Sequence, residues 1–430
     1  MPFAAFDIHL RSVEAVLADD SGSILLRHNF PATREAITSF AQQYLTPDHH
    51  LALEATFHTW AIAALLEPFV AEVVVSNPLR TRAIAEAKIK TDRVDATVLV
   101  HLLRLDYLPR VWQPDAATRD LRRQTTERAA LVSDRTRLKN RIHAVLHQRL
   151  LVPPKGDLFS AANLLWLKDL SLDPQGRLSL DRHLRQLAVL EVEIAAQAAS
   201  LARDAYADPR VKLLITLPGV DYLVAQSLLA AWGDVERFPT AAQAAAYLGL
   251  VPSTRQSAEH CYHGPITKQG RSHSRWLLVQ AAQHLDRHPG PLGVFFRRIA
   301  RKKNRNVAVV AAAHRLALIA WHMLRHNEPY RYAQPKTVAA KFARLRVGVT
   351  GKRKQGGLPK GAPRPANYGT GVRTRAVPAL DLIYAGEGLP PLQTPAAGEQ
   401  KMLRQTGTAA HAEAVRRPTR TPRGPIPATT

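Results

Sequence analysis

The chain has 430 residues, a formal net charge of +24 and one cysteine, Cys261. A single cysteine excludes a disulfide framework and suits a reducing compartment. The chain starts with a strand-like apolar segment, so we expect no signal peptide. We also expect no membrane span, because no apolar stretch approaches roughly 20 residues. These features predict a cytoplasmic protein with two or three hydrophobic cores.

The charge is unevenly distributed along the chain. Residues 1–115 hold 10 basic and 14 acidic side chains, residues 116–330 hold 31 and 17, and residues 331–430 hold 18 and 4. Lys and Arg displace counterions from phosphates, so the basic regions predict a polyanionic partner. The alternative is a generally basic surface that reflects an arginine-rich genome.

The first 110 residues combine strand and helix patterns. Apolar, partly alternating segments at 3–8, 12–19 and 23–30 predict three strands. A helix at 32–45, a strand at 49–56, a helix at 59–66, a strand at 71–77 and a long helix at 79–103 follow. This order predicts an α/β domain over residues 1–110.

Four carboxylates occupy informative places in that domain. Asp7 and Glu54 lie near the ends of predicted strands, while Asp92 and Asp95 are three residues apart and share one helix face. Carboxylates that converge repel each other unless a hard cation such as Mg²⁺ lies between them. Two such ions can clamp an in-line displacement at phosphorus. The alternative is four ordinary surface acids.

Residues 111–208 predict a helical hairpin or coiled coil. Residues 116–150 and 179–205 have apolar side chains at helical spacing, and Pro153-Pro154 ends the first helix. The hairpin could dimerise, bind nucleic acid, or both. The candidate phosphate contacts on the first helix are Arg122, Arg123, Arg128, Arg135, Lys139 and Arg141.

Residues 209–332 predict an all-α domain, and residues 333–430 predict a disordered basic tail. The Pro218-Gly219 turn between two helices resembles a helix-hairpin-helix, whose turn amides can hold a phosphate. The alternative is a simple chain reversal. The tail is rich in proline, glycine and basic clusters, which favours non-specific polyanion binding.

A possible nucleophile follows Tyr247–Pro252 in a predicted polar loop. Ser253 and Ser257 lie in this segment, and a serine hydroxyl among cations can attack a phosphodiester. Serine in a polar loop is more commonly just a loop residue. The neighbouring cations in sequence are Arg255, Lys268, Arg271 and Arg275.

These motifs together resemble the DEDD-type insertion-sequence transposases of the IS110 family. The resemblance spans residues 3–330. It rests on Asp7, Glu54, the TDRVDA string at 91–96, the LPG turn at 217–219, YLGLVP at 247–252, and GPITKQG at 264–270 followed by Arg275 and Leu277-Leu278.

The resemblance implies an RNase H-like (RuvC-like) domain that carries Asp7, Glu54, Asp92 and Asp95 and uses Mg²⁺. It implies a second, helical domain in which Ser257 is the nucleophile and forms a phosphoserine link to DNA. The implied partners are the element ends, a target DNA and a bridge-type non-coding RNA. A homodimer or homotetramer would build a composite site, in a nucleoid-associated protein of the bacterial cytoplasm.

This sequence departs from the family pattern at two positions. The family commonly has a lysine shortly after the first acid, where this chain reads Asp7-Ile8-His9, and a glycine after the serine, where this chain has Ala258. Two other functions stay open. One is a junction-resolving nuclease that uses the acids, metal and water without Ser257, and the other is a non-catalytic nucleic-acid-binding protein.

Overall fold

The computed structural model describes residues 1–84, 92–257, 260–352 and 374–422. The chain forms two compact units, Met1–Pro114 and Asp115–Thr430. The first unit is the α/β region and the second is mainly helical, which confirms the predicted succession of a mixed region and a helical region.

The first unit contains one five-stranded sheet with the order β3-β2-β1-β4-β5. Strand β2 is antiparallel to both β1 and β3, whereas β1, β4 and β5 are parallel. The strands are β1 (Phe3–Ile8), β2 (Ser12–Ala18), β3 (Ile24–Pro31), β4 (His50–Glu54) and β5 (Glu72–Ser76). The helices are α1 (Arg34–Tyr44), α2 (Thr59–Leu66), α3 (Pro78–Ile84) and α4 (Asp92–Arg104).

Each face of this sheet buries its own apolar cluster. Phe6 and Leu53 belong to one cluster, together with Phe40 of α1. Ala5 and Ala52, their neighbours in sequence, belong to the other, together with α4. Since successive strand residues point to opposite faces, this alternation sets which side chains α4 can meet.

The second unit consists mostly of helices, with two short hairpins. Its helices are α5 (Ala116–His147), α6 (Ala161–Asp169), α7 (Pro174–Ala207), α8 (Pro209–Ile215), α9 (Tyr222–Trp232), α10 (Ala241–Tyr247), α11 (Ser272–Ala282), α12 (Pro291–Lys302), α13 (Arg305–His326), α14 (Pro335–Thr350), α15 (Leu380–Gly386), α16 (Ala397–Gln405) and α17 (Ala409–Ala414). The antiparallel strand pairs are β6 (Pro252–Ser257) with β7 (His260–Ile266), and β8 (Thr374–Val377) with β9 (Thr419–Pro422). The prediction of an all-α region over residues 209–332 was therefore wrong for β6 and β7, whereas β8 and β9 lie in the predicted tail.

Helices α5 and α7 pack as an antiparallel hairpin. Gln197 Nε2 donates to the Gln124 carbonyl at 3.3 Å, and Arg149 Nε lies 2.5 Å from Asp173 at the other end. The first pair lies early in α5 and late in α7, and the second pair lies at the connecting loop. The predicted helical hairpin is confirmed, while its coiled-coil character stays a prediction.

The prediction of a disordered tail was wrong for residues 333–352 and 374–422. Leu380, Tyr384 and Leu403 are buried in the same apolar cluster as α9, α11 and α13. Tyr384 Oη also donates to the Tyr330 carbonyl at 2.7 Å. These side chains give the C-terminal segment the apolar burial that disordered chains lack. Residues 353–373 and 423–430 lie outside the described residues.

Helix α13 is long and apolar enough to cross a bilayer by length and composition, although we expected no such segment from the sequence. Half of its apolar stretch is buried, and Ala312, Leu316 and Ala320 pack in the core of the second unit. The core helix of a globular protein can have the same length and apolar composition.

Candidate active site

Asp7 lies near the end of the central strand β1 and is 5% exposed. Its Oδ2 atom is 3.3 Å from Nε2 of His9, which follows the strand. Strand β1 is flanked by β2 and β4 and is almost entirely apolar, so this carboxylate belongs to the buried sheet. A buried carboxylate requires compensating partners, as expected of a functional acid.

Glu54 ends the neighbouring parallel strand β4. Phe6 pairs with Leu53 in the parallel register, so Asp7 and Glu54 are the next residues on adjacent strands. Ala5 and Ala52, two residues earlier on each strand, face the α4 side of the sheet. The alternation therefore places Asp7 and Glu54 on that same side.

The first turn of α4 carries the other two acids. Ala96 and Leu99 of α4 pack in the cluster that contains Ala5 and Ala52. Asp95 is partly buried one residue before Ala96, and Asp92 is the first residue of the helix. The side chain of Asp92 lies outside the described residues. The fold thus brings the start of α4 to the sheet face that holds Asp7 and Glu54.

A hard divalent cation fits the donor chemistry of this face, because carboxylate oxygens are its preferred ligands. Within the described side chains, however, no group of three or more His, Cys, Asp or Glu residues is close enough to hold a metal ion. The described residues thus bring Asp7, Glu54 and Asp95 to one sheet face without forming a ligand set. Convergence of the four acids on Mg²⁺ stays a prediction.

Glu14 is a further acid on this face that the sequence analysis did not select. It is the cross-strand partner of Asp7 in the antiparallel register and lies two residues before Val16, which belongs to the α4-side cluster. Asn29 Nδ2 donates to its Oε2 atom at 3.0 Å. The period-two alternation of residues 12–18 could have placed it opposite Asp7, but only with the register known.

Ser257 lies in the second unit, in a β-hairpin and not in the predicted loop. It ends β6, pairs with His260 and is exposed. Arg255 is two residues earlier on the strand, is also exposed and shares its face. Residues 258 and 259 lie outside the described residues.

Ser253 and Ser257 have different surroundings. A Cβ atom added at Gly264 would lie 2.5 Å from the Ser253 hydroxyl, so this serine packs closely against the partner strand. Ser257 is exposed at the far end of the same strand. The hairpin therefore presents Ser257 as the more exposed of the two hydroxyls.

The YLGLVP and GPITKQG motifs contact each other where β6 begins and β7 ends. Gly249 and Gly270 have φ values of +69° and +85°, and an added Cβ would lie 2.2 Å from the carbonyl oxygens of Gln269 and Tyr247, respectively. Arg275 Nη1 donates to the Leu248 carbonyl at 2.9 Å, and burial lowers the pKa of its guanidinium. Arg275 thus ties α11 to the first motif, in addition to any phosphate contact.

Lys268 and Arg271, the other two predicted cations, are exposed on either side of Gly270. Lys268 adopts a left-handed φ of +55°, and its backbone N–H donates to the Gly249 carbonyl at 3.2 Å. Arg271 directly precedes α11 and does not cap it with its side chain. Both ammonium and guanidinium groups are therefore placed where a phosphate could reach them.

The predicted cations of α5 divide into two groups. Arg122 and Arg128 are half-buried, and burial lowers the pKa of both guanidinium groups, that of Arg122 to about 10. The exposed or partly exposed members form ion pairs: Arg123 with Asp120 at 3.3 Å, and Arg135 and Lys139 with Glu191 at 3.4 and 3.8 Å. Such pairs are weak and can open to a phosphate. Arg141 is exposed and forms no ion pair with the described side chains.

The Pro218-Gly219 turn joins α8 to α9 as predicted, and its Gly219 has a φ of +80°. Lys341 of α14 is buried against this turn and donates from Nζ to the carbonyls of Ile215 at 2.9 Å and Leu217 at 2.6 Å. A cavity of about 610 Å³ lies here, lined also by Arg287 and by Arg344. Phosphate binding at this turn stays a prediction.

Comparison with known proteins gives two family matches. Residues 4–150 match the DEDD-type IS110 family model described as "Transposase", and residues 211–294 match the model described as "Transposase IS116/IS110/IS902 family". Together these segments cover more than half of the chain. They contain Asp7, Glu54, Asp92 and Asp95 in the first segment and Ser257 in the second.

Curated relatives agree with these matches. The chain is 27% identical over 249 residues to a transposase for insertion sequence element IS1111A of Coxiella burnetii, covering 56% of this chain and 68% of the relative. It is 28% identical over 312 residues to the putative transposase y4pF/y4sB of Sinorhizobium fredii, covering 70% and 78%. It is 26% identical over 304 residues to the pilin gene-inverting protein of Moraxella bovis, covering 67% and 84%.

Proposed function

This chain belongs to the IS116/IS110/IS902 family of transposases, and we propose that it cleaves and exchanges the DNA strands of an insertion sequence. The observation that carries the proposal is the parallel pairing of β1 with β4. That pairing places Asp7 and Glu54 side by side on the face covered by α4, whose first turn contains Asp92 and Asp95.

The sheet supports an RNase H-like (RuvC-like) assignment for the first unit. Three antiparallel strands, β3, β2 and β1, continue into the parallel strands β4 and β5, with helices on both faces. In this arrangement Asp7 and Glu54 lie near the ends of the neighbouring parallel strands β1 and β4. Mg²⁺ bound there would polarise the phosphate and lower the pKa of an attacking hydroxyl.

Ser257 is the proposed nucleophile. Its Oγ attacks phosphorus, an Oγ–P bond forms, and the bond from phosphorus to one sugar oxygen breaks. The serine proton passes to solvent or to a carboxylate, and the released sugar oxygen takes up a proton. The phosphoserine link conserves the phosphodiester for the reverse attack by another DNA end, as strand exchange requires.

Exposed cations near Ser257 support this role. Arg255 shares its strand face, and Lys268 and Arg271 follow the hairpin. Positive groups that face a phosphate stabilise the charge that builds in the transition state. Asp7, Glu54, Asp92 and Asp95 would come from one subunit and Ser257 from another, in a homodimer or homotetramer.

The proposed partners are the DNA of the element ends and target, together with a bridge-type non-coding RNA. The basic surface of the second unit fits either nucleic acid, because phosphate contacts do not depend on the base. The choice of RNA as the guide rests on the family resemblance alone. The proposed location is the bacterial cytoplasm, in association with the nucleoid.

A covalent protein–DNA adduct tests this proposal. The full-length protein is incubated with Mg²⁺ and end-labelled element DNA, with and without the RNA transcribed beside the gene, and is resolved under denaturing conditions. We expect a labelled adduct that Ser257→Ala abolishes and Ser253→Ala retains. Peptide mapping that finds DNA on a residue other than Ser257 would refute the assignment.

The same assay separates the two competing functions. DNA cutting without an adduct, unaffected by Ser257→Ala, would indicate a metal-dependent nuclease that uses water. Binding without cutting, in the presence of both Mg²⁺ and RNA, would indicate a non-catalytic nucleic-acid-binding protein.

A further inference from the structure

Three arginines surround a single tyrosine in the second unit. Arg122 comes from α5, Arg237 follows α9, and Arg271 precedes α11, while Tyr247 ends α10. Burial raises the pKa of the Tyr247 hydroxyl, but the charges of Arg271, Arg122 and Arg237 together bring it below its usual value, so the three guanidinium groups lie around this hydroxyl. We call these four residues the arginine cluster. Neither Arg237 nor Tyr247 stood out as a binding residue in the sequence.

The cluster is fixed by the end of α9. Arg122 donates from Nε to the Ala230 carbonyl at 2.6 Å and from Nη2 to the Ala231 carbonyl at 3.0 Å. Arg237 donates from Nε to the Trp232 carbonyl at 2.8 Å. These bonds satisfy carbonyls that a helix C-terminus leaves without intrahelical donors, so they hold two of the guanidinium groups in place.

Aromatic rings complete this scaffold. The Arg237 guanidinium carbon lies 4.4 Å from the centre of the Tyr247 ring and 4.0 Å from that of Phe238. The two rings lie 5.5 Å apart. Stacking between rings and a planar guanidinium restricts its orientation. The cluster is therefore organised before any ligand arrives.

The charges of the cluster do not balance internally. Three guanidinium groups carry three positive charges, whereas a helix C-terminus supplies only about half of one negative charge. Asp234 adds an attractive interaction with Arg237. Burial is the main cause of the lowered pKa of Arg122 and Arg237, and Arg271 lowers both further as a like charge. An anion would relieve this repulsion.

The hydrogen-bonding capacity of Tyr247 points the same way. A guanidinium group donates hydrogen bonds and accepts none. An arginine can therefore only donate to the Tyr247 oxygen, and none of the three can accept the tyrosine proton. The O–H can donate to an anionic oxygen, beside guanidinium groups that can donate to the same anion.

We propose that the arginine cluster binds a phosphodiester of the nucleic-acid backbone. The inference rests on the proposed function, because the nucleic acid of that function provides the phosphodiester anion. The site joins α5 of the helical hairpin to Tyr247, which directly precedes the Leu248–Val251 segment and the hairpin that carries Ser257. The arginine cluster therefore acts as a positioning site, in which a strand held against α5 is set in register with the hairpin.

Nucleic-acid binding without bond cleavage tests the site. The full-length protein, in EDTA, is titrated against fluorescent duplex DNA and against duplex RNA of the same sequence, over a series of KCl concentrations. The variants are Arg271→Gln, Tyr247→Phe and the control Arg137→Gln. Arg137 lies exposed on α5, pairs with Asp134 and stands outside the cluster, so its replacement makes the same change in charge.

We expect Arg271→Gln to weaken binding at least about tenfold and to reduce the salt slope by about one unit, because one phosphate contact is lost. We expect Tyr247→Phe to weaken binding severalfold with the slope unchanged, because the charge is unchanged. Arg137→Gln should bind like the unmodified protein. A loss confined to DNA or to RNA identifies which backbone occupies the site.

Wild-type affinity and salt slope in both Arg271→Gln and Tyr247→Phe would overturn the proposal, provided that thermal unfolding shows both variants folded. An equal loss in all three variants would also overturn it, since only general charge would matter. Adduct formation at Ser257 is measured in a separate experiment. If no adduct forms, the binding titration still decides whether the arginine cluster holds a phosphodiester. If the cluster variants bind normally, the adduct assay still decides whether Ser257 is the nucleophile.

Discussion

Gly270→Ala tests how the two motifs hold the serine hairpin. Gly270 has a φ of +85°, and an added Cβ would lie 2.2 Å from the Tyr247 carbonyl oxygen. A left-handed backbone costs an alanine about 1–2 kcal/mol. Relieving such an overlap costs about 1–3 kcal/mol more. We therefore expect local stability to fall by about 2–5 kcal/mol, because the obstructing atom belongs to the backbone and cannot rotate away.

Gly351→Ala is the matched control for this substitution. Gly351 has a φ of +66°, but an added Cβ would meet nothing within 4 Å. It should therefore cost only the backbone term of about 1–2 kcal/mol. The difference between the two variants isolates the close approach of one motif to the other.

Hydrogen exchange read by mass spectrometry is the appropriate assay, because two units need not unfold in one step. The backbone N–H groups of Thr267 and Lys268 donate to the carbonyls of Val251 and Gly249, so peptides that contain them report on this contact. Gly270→Ala should speed their exchange, whereas Gly351→Ala should not. Unchanged exchange in Gly270→Ala would show that the motifs do not depend on this contact.

Three further outcomes are expected. Asp95→Asn should abolish DNA cleavage in the adduct assay without changing thermal unfolding, and undiminished cleavage would remove Asp95 from the site. Lys341 is buried, which lowers its pKa from 10.5 to about 7. Its native state thus binds its proton more weakly than its unfolded state, so stability should rise between about pH 7 and pH 10.5. Lys341→Met should flatten this rise in melting temperature, and an unchanged profile would refute the assignment. Tyr384→Phe removes the hydrogen bond to the Tyr330 carbonyl and should cost about 1–2 kcal/mol in thermal unfolding. No loss of stability would contradict its place in the core.

The sheet and its acids were predictable because their signal is local. Short apolar segments, some of them partly alternating, predicted β1 to β5, and an acid at the end of β1 or β4 needs no knowledge of the partner strand. The cross-strand position of Glu14 depends on register, which the sequence of β2 alone does not fix. The apolar pattern of one segment therefore predicts where a strand ends, but it does not predict which residue of the neighbouring strand lies opposite.

The serine hairpin was missed for a different physical reason. Residues of β6 are mostly exposed, so neither face of this two-stranded ribbon carries the apolar alternation that marks a half-buried strand. The C-terminal segment gave the opposite error. Its proline and glycine content favours disorder, but a few apolar residues such as Leu380 and Tyr384 bury themselves against distant helices. Such burial depends on tertiary contacts that composition does not record.

The arginines of the second unit show why net charge overstates the number of phosphate contacts. Several guanidinium groups are directed at main-chain carbonyls. Arg177 Nη1 donates to the carbonyls of Leu167, Lys168 and Leu170, and Arg297 Nη1 donates to those of Asp286 and His288. Each ties together chain segments that no helix or sheet ladder joins. Their charge still adds to the field that attracts a polyanion, but the Nη1 groups that make these bonds are engaged with the main chain. The salt slope of binding should therefore reflect the cations that meet a phosphate, as proposed for Arg271, and fall well below the value that counting every Lys and Arg would give.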